Sequence, residues 1–183
     1  MTLLRRLILI AAVMAALPLA YQAQAQSATG AATGAATVTV TAAETFADWS
    51  LYADSKTPHQ FCFVTSVPKS TEPAETAREA PHLYISAWPK DGVKSEFSVI
   101  LGFPTKKGSD VTASVAAADF KLFANDDRAY VQDPTLELKL LDAMKKGAKV
   151  SVAATTQTGT AVIDSYSLSG LGQALQKLQA TCF

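Results

Sequence analysis

The sequence predicts a mainly β protein, a β-sandwich or flattened barrel of about nine short strands, with two short helices at about 134–146 and 169–181. Two observations point there. Apolar residues alternate with polar ones along most of the chain, the period of a strand with one face buried. Only two stretches change to the three-to-four-residue spacing of a helix. An α+β arrangement is the alternative class.

The first 25 residues stand apart. Arg5 and Arg6 precede an apolar run from Leu7 to Ala20 that is too short to span a bilayer comfortably, and Ala23-Gln24-Ala25 supplies the small-x-small pattern of a signal peptidase site. Residues 1–25 are therefore expected to be a signal peptide cleaved before Gln26, with an uncleaved anchor as the alternative. Residues 26–37 contain a twofold Ala-Thr-Gly-Ala unit with no charge and no large apolar group, so they are expected to form a flexible leader. A single β-rich domain follows over 38–183.

Within that domain, one expected buried face is set by Trp49 and Leu51, then Phe61, Phe63, Thr65 and Val67, then Leu83, Ile85 and Ala87, then Phe97, Val99 and Leu101. Val111, Ala113 and Val115 continue the series, followed by Phe120 and Leu122. Asn125-Asp126-Asp127 reads as a tight turn into Ala129 and Val131. Pro68 to Pro81 is polar and Pro-containing and is expected to be a mobile loop, while Asp91-Gly92 and Pro104 to Gly108 mark further breaks.

Asp133 is placed to cap the first helix and Pro134 to open it. Leu136, Leu140 and Met144 form its apolar stripe, and Gly147 after Lys145 and Lys146 ends it. Val150, Val152 and Ala154, then Val162, Asp164, Tyr166 and Leu168, form a hairpin around Gln157-Thr158-Gly159. Ser169 opens the last helix, in which Leu171, Leu175, Leu178 and Cys182 share a face, so Cys182 is directed at the core.

Charge excludes one class of partner. Without Arg5 and Arg6 the 16 basic residues become 14, against 16 acidic ones, a net charge of −2 with neutral histidines. The basic residues are scattered, so no nucleic-acid partner is expected. No other apolar run serves as a membrane span once the signal peptide is removed.

Cys62 and Cys182 are the only two cysteines. In an oxidising compartment their pairing is the simplest expectation, two buried free thiols being the alternative. The bond closes a loop of roughly 120 residues, for which chain entropy gives about 4 to 5 kcal/mol. Their separation argues against Cys-x-x-Cys redox chemistry.

Residues suited to catalysis are sparse. His59 and His82 are the only histidines, and neither has a zinc-binding spacing, so no metal is expected. Ser66-Val67-Pro68-Lys69 matches the Ser-x-x-Lys pattern of penicillin-recognising enzymes but lacks the accompanying Ser-Asp-Asn and Lys-Thr-Gly motifs, and Pro68 ends a strand where that motif opens a helix. There is no glycine-rich phosphate loop and no Gly-x-Ser-x-Gly elbow, so no cofactor is expected. Asn125, Asp126 and Asp127 lack the spacing of a calcium loop. Trp49, Trp88, Tyr52 and Tyr84 are candidates to line a binding groove, although alternating strand positions usually place aromatics in cores.

Several segments together resemble the invasion-associated locus B family of exported bacterial proteins. They are Phe46-Ala47-Asp48-Trp49, Cys62, the strand from Glu96 to Gly102, the stretch from Lys121 to Tyr130, the helix end from Leu140 to Gly147, and Tyr166-Ser167-Leu168-Ser169-Gly170-Leu171 leading into Ala174-Leu175. The likeness covers roughly residues 44 to 183. Cysteines frequent in the family are missing in two places, one just after Asp48-Trp49 and a mid-chain pair around Asn125 to Tyr130, so Cys62 and Cys182 are each other's only partners. The resemblance implies a β-rich exported protein without known catalytic residues. Residues and resemblance together lead to a non-enzymatic periplasmic or secreted binding protein with a protein partner. The alternatives are an envelope hydrolase whose site assembles in the fold, and an accessory protein acting through an exposed sheet edge.

Overall fold

The computed structural model describes residues 40–54, 61–74, 76 and 78–183, all within the unit Thr37–Phe183. The expected signal peptide, the leader and His59 lie outside the described residues. Eleven strands and two helices follow one another: β1 (Val40–Phe46), β2 (Trp49–Asp54), β3 (Cys62–Ser66), β4 (Ser70–Glu72), β5 (His82–Trp88), β6 (Val93–Ile100), β7 (Val111–Val115), β8 (Ala118–Asn125), β9 (Arg128–Tyr130), α1 (Pro134–Lys146), β10 (Lys149–Thr155), β11 (Ala161–Ser167) and α2 (Leu171–Cys182). The strands form one antiparallel sheet in the order β1-β2-β3-β5-β6-β9-β8-β7-β10-β11-β4, curled into a half-barrel. The expected mainly β class with helices at these two places holds. Two strands, β1 and β4, add to the nine read from alternation.

The inner face is the core. Trp49, Leu51, Val64, Leu83, Ile85, Phe97, Val99, Val111, Ala113, Val150 and Val152 are all at most 1% exposed. Burying each large apolar side chain contributes about 1.5–3 kcal/mol. One strand has the opposite parity from that expected. In β3 it is Cys62, Val64 and Ser66 that point inward, while Phe61, Phe63 and Thr65 are only partly buried and Val67 is exposed. The cysteine decides this. Cys62 must face the core to meet Cys182, and a period of two then turns both phenylalanines outward.

The segment from Pro68 to Pro81, expected as a mobile loop, carries β4. Ser70, Thr71 and Glu72 pair with Ser165, Asp164 and Ile163 of β11, and the Lys69 N–H donates to the Ser165 carbonyl at 2.7 Å. Backbone pairing supplies order that composition could not reveal. The Thr76 N–H and hydroxyl donate to the Pro73 carbonyl at 3.3 and 2.8 Å, and the Glu79 N–H donates to the Gly102 carbonyl at 3.1 Å. Gly102 has φ +75° there, and a Cβ on it would sit 2.1 Å from the Glu79 carbonyl oxygen.

α1 obeys its sequence signals, whereas α2 begins at Leu171, after Gly170 and without the expected opening by Ser169, and buries Ala174 more fully than Leu175. The Asp133 carboxylate accepts from the Thr135 N–H at 2.8 Å, Pro134 opens α1, and Leu140, Leu141 and Met144 are buried. Glu137 accepts from the Phe97 N–H, tying α1 to β6. α2 lies over β1, β2 and β3 and buries Leu171, Ala174, Leu178 and Cys182. Cys182 is joined to Cys62 with a Cα–Cα distance of 6.3 Å. Among the described residues no helix is long and apolar enough to cross a membrane.

Replacing both cysteines (Cys62→Ala/Cys182→Ala) should lower unfolding free energy by about 2–5 kcal/mol, measured by urea denaturation. Glu137 yields a pH test. Burial pushes its carboxyl up, against the opposing Phe97 hydrogen bond and with help from Glu96. A raised carboxyl pKa means the folded state disfavours the charge, so the associated stability is present at low pH and is lost as pH rises through the raised value. Glu137→Gln keeps the acceptor and removes the charge. Its melting temperature should exceed the parent's at pH 7, and the difference should vanish below about pH 4.

Candidate functional site

Two of the segments that carry the family resemblance meet in space. The Trp49 indole N–H donates to the Ser167 carbonyl at 3.0 Å, and the Asp48 N–H donates to the Ser169 carbonyl at 3.3 Å. Gly170 completes the contact with φ +88°. A Cβ there would sit 2.0 Å from the Phe46 carbonyl oxygen, so only glycine fits. Lys69 pairs with Asp48 at 2.5 Å, and its hydrogen bond, followed by one from Ser167, holds the Asp48 carboxyl below its usual range. This clasp joins the β1–β2 turn to the start of α2 and explains the Phe46-Ala47-Asp48-Trp49 and Ser167-Leu168-Ser169-Gly170 residues structurally.

A second polar cluster lies in the interior. Asp164 points inward from β11, between Val162 and Tyr166, and its side chain is 2% exposed. The Arg78 guanidinium, 5% exposed, donates to both carboxylate oxygens, to the Leu101 carbonyl at 2.9 Å and to the Thr71 hydroxyl at 2.9 Å. Thr71 in turn donates to Asp164 at 2.7 Å, and Arg78 lies 5.6 Å from the centroid of the Phe103 ring. Burial and the nearby Asp164 charge push the Tyr166 phenol well above its usual range. Sequence reading missed Arg78, yet Asp164 at an inward position was the signal, because a buried carboxylate needs a cation.

On the outer face, β3 parity creates an aromatic layer. Tyr52 and Phe63 are cross-strand neighbours stacked at 5.1 Å with planes 10° apart. Phe61 packs on Phe63 at 5.4 Å and on Trp88 at 4.2 Å, Phe63 on Tyr84 at 5.5 Å, and His82 on Tyr84 at 5.8 Å. The row continues across the sheet through Thr65, Tyr84, Ser98 and Tyr130 to Phe123, whose ring lies 5.2 Å from that of Tyr130. Six adjacent strands, β2, β3, β5, β6, β9 and β8, are crossed, a track of roughly 24 Å at ~4.8 Å per strand. The rings are partly buried, except Phe123, which is 44% exposed.

Of the four aromatics expected to line a groove, Tyr52, Tyr84 and Trp88 belong to this track, whereas Trp49 lies in the core. Phe123 and Tyr130 were legible as the outward neighbours of Leu122 and Ala129. The outer face beyond β8 has a different chemistry. Ser114, Ser151, Ser165 and Ser70 stand in register across β7, β10, β11 and β4.

The other candidates do not converge. Ser66 is buried and donates to the Val67 carbonyl at 3.4 Å, while Lys69 is held by Asp48. The His82 Nδ1 has no hydrogen-bond partner among the described residues. Among the described residues no group of three or more His, Cys, Asp or Glu side chains could hold a metal ion.

The fold and surface define a disulfide-tied β half-barrel with its helices on one face and an aromatic track on the other. The chain belongs to the invasion associated locus B (IalB) family, whose model matches residues 49–179. The crystal structure of invasion associated protein B from Bartonella henselae is similar in fold, with TM-score 0.53 and 17% sequence identity over 75% of this chain and 95% of that one. No curated protein matches the sequence.

The interior pair makes a double-variant test. Asp164→Ala leaves Arg78 buried and unpaired and should cost about 3–5 kcal/mol, whereas Arg78→Met/Asp164→Leu should recover much of that loss in urea denaturation. Equal losses would show that the ion pair is not the source.

Proposed function

We propose that the protein is an exported, non-enzymatic binding protein of the bacterial envelope, and that its partner is another protein docking on the aromatic track. The track itself carries this reading. Aromatic side chains grouped on a protein surface mark interaction sites, and Tyr, Trp and Phe are the residues that dominate protein contacts. The disulfide favours an oxidising compartment, in line with the signal peptide read from residues 1–25. The scatter of Ser66, Lys69 and His82 favours binding over turnover.

The sheet edge supports a second reading. Among the described residues β1 pairs with β2 alone and offers its other side to strand addition by a partner. A single experiment separates the two. A photo-crosslinking residue is placed at Tyr84 on the track, at Thr45 on β1, or at Ser151 on the serine row, in cells that make the protein. Adducts to one defined protein from Tyr84 and not from Ser151 are expected. Adducts from Thr45 alone would replace the track by the edge, and equal labelling at all three would remove both.

A further inference from the structure

A pocket of about 440 Å³ opens where the β10–β11 turn, the Phe103-Pro104 segment and the chain leaving β4 converge. That volume falls in the range of small-molecule sites, roughly 300–1,000 Å³. Its walls are fixed by hydrogen bonds within the protein. The Gln157 N–H donates to the Pro104 carbonyl at 2.8 Å, the Thr156 hydroxyl oxygen accepts from the Thr160 N–H at 3.0 Å and lies 2.9 Å from that of Thr158, and the Thr76 hydroxyl donates to the Pro73 carbonyl at 2.8 Å. Phe103 is buried at the base, with the Arg78 guanidinium 5.6 Å from its ring centroid. A cleft held in this way needs little ordering when a ligand enters.

The chemistry of the lining narrows the ligand. Among the described residues no ionisable side chain lines the pocket. Arg78, behind Phe103, is committed to Asp164, Thr71 and the Leu101 carbonyl, so its charge is not offered to a ligand. An ionic ligand would lose water here without gaining a counter-ion. The lining presents hydroxyls and a carboxamide, groups that both donate and accept, beside the apolar surfaces of Phe103 and two prolines. The Gln157 carboxamide and the Thr160 hydroxyl are exposed, and among the described residues neither side chain has a hydrogen-bond partner. Thr76 donates within the protein and keeps its acceptor capacity. A purely apolar ligand would strip water from these groups and return nothing. A sugar ring answers both demands, because its edge carries neutral hydroxyls that donate and accept and its faces carry C–H groups that lie against apolar surface.

We propose that this pocket binds a neutral saccharide, its hydroxyls on Gln157, Thr160 and Thr76 and its C–H face on Pro104 and Phe103. The pocket shares no residue with the aromatic track, so the inference goes beyond the reading of a protein partner and does not depend on it.

The test is a titration of the ¹⁵N-labelled protein, followed by amide shifts, with N-acetylglucosamine, N,N′-diacetylchitobiose, maltose and, as the anionic control, glucuronate. Saturable shifts of the amides of Thr156 to Thr160, Thr76 and Phe103 are expected with at least one neutral sugar, with a Kd on the order of 1 mM. The affinity should be the same at low salt and at ~0.5 M sodium chloride, because no ion pair is formed. Gln157→Ala and Thr160→Val should each weaken binding by about fivefold, with the melting temperature unchanged. Tighter binding of a disaccharide than of N-acetylglucosamine, with retention of the protein on insoluble chitin or starch, would assign a glycan chain as the source, and equal affinity without retention a free sugar. Absence of shifts with every neutral sugar, shifts on the aromatic track instead of the pocket, equal binding of glucuronate, or unchanged affinity in both variants would overturn the proposal.

Discussion

A curled sheet whose end strands do not pair with each other has no hydrogen-bond ladder to close it, and the joints that replace the ladder govern this structure. Trp49, Asp48 and Gly170 form one joint, where an indole, a backbone amide and the absence of a side chain bring the β1–β2 turn against the start of α2. Arg78 and Asp164 form another, anchoring the segment around β4 to β11. The Cys62–Cys182 bond forms a third, pinning α2 over β3. The three differ in kind. The disulfide acts mainly by restricting the unfolded chain, the guanidinium pair is set by the cost of leaving either charge alone in the interior, and the glycine contact is steric.

Alternation and capping made most of the fold readable. The α1 boundaries followed from Asp133, Pro134 and Gly147, and the β10–β11 hairpin from its turn residues, because those signals are local. β4 was hidden because Ser70, Thr71 and Glu72 carry no apolar pattern, and the strand exists through backbone pairing with β11. β3 was read with inverted parity because Phe61 and Phe63 are more hydrophobic than Cys62, Val64 and Ser66. A cysteine committed to a distant partner outweighs side-chain hydrophobicity in choosing a face.

That inversion is also why the candidate site was only partly legible. Tyr52, Tyr84 and Trp88 stood out as aromatics, but Trp49 stood out equally, and nothing local separates a buried indole from an outward one. Phe61 and Phe63 were assigned to the core. The aromatic track exists only once strands distant in sequence are placed side by side, with β9 and β8 bringing Tyr130 and Phe123 next to β6. Sheet register, rather than any motif, assembles the surface on which the functional reading depends, and the segments of family resemblance at the clasp explain why the barrel holds rather than what it holds onto.

The three joints share one direction along the chain: residues 48, 49, 62 and 78 all have their partners between 164 and 182. None of them can form on a chain emerging from the ribosome until its last fifth is present. Native closure therefore comes late, as is general for topologies dominated by distant contacts. A nascent chain of this design stays open for most of its synthesis, the state in which a polypeptide is most readily threaded through a translocation pore.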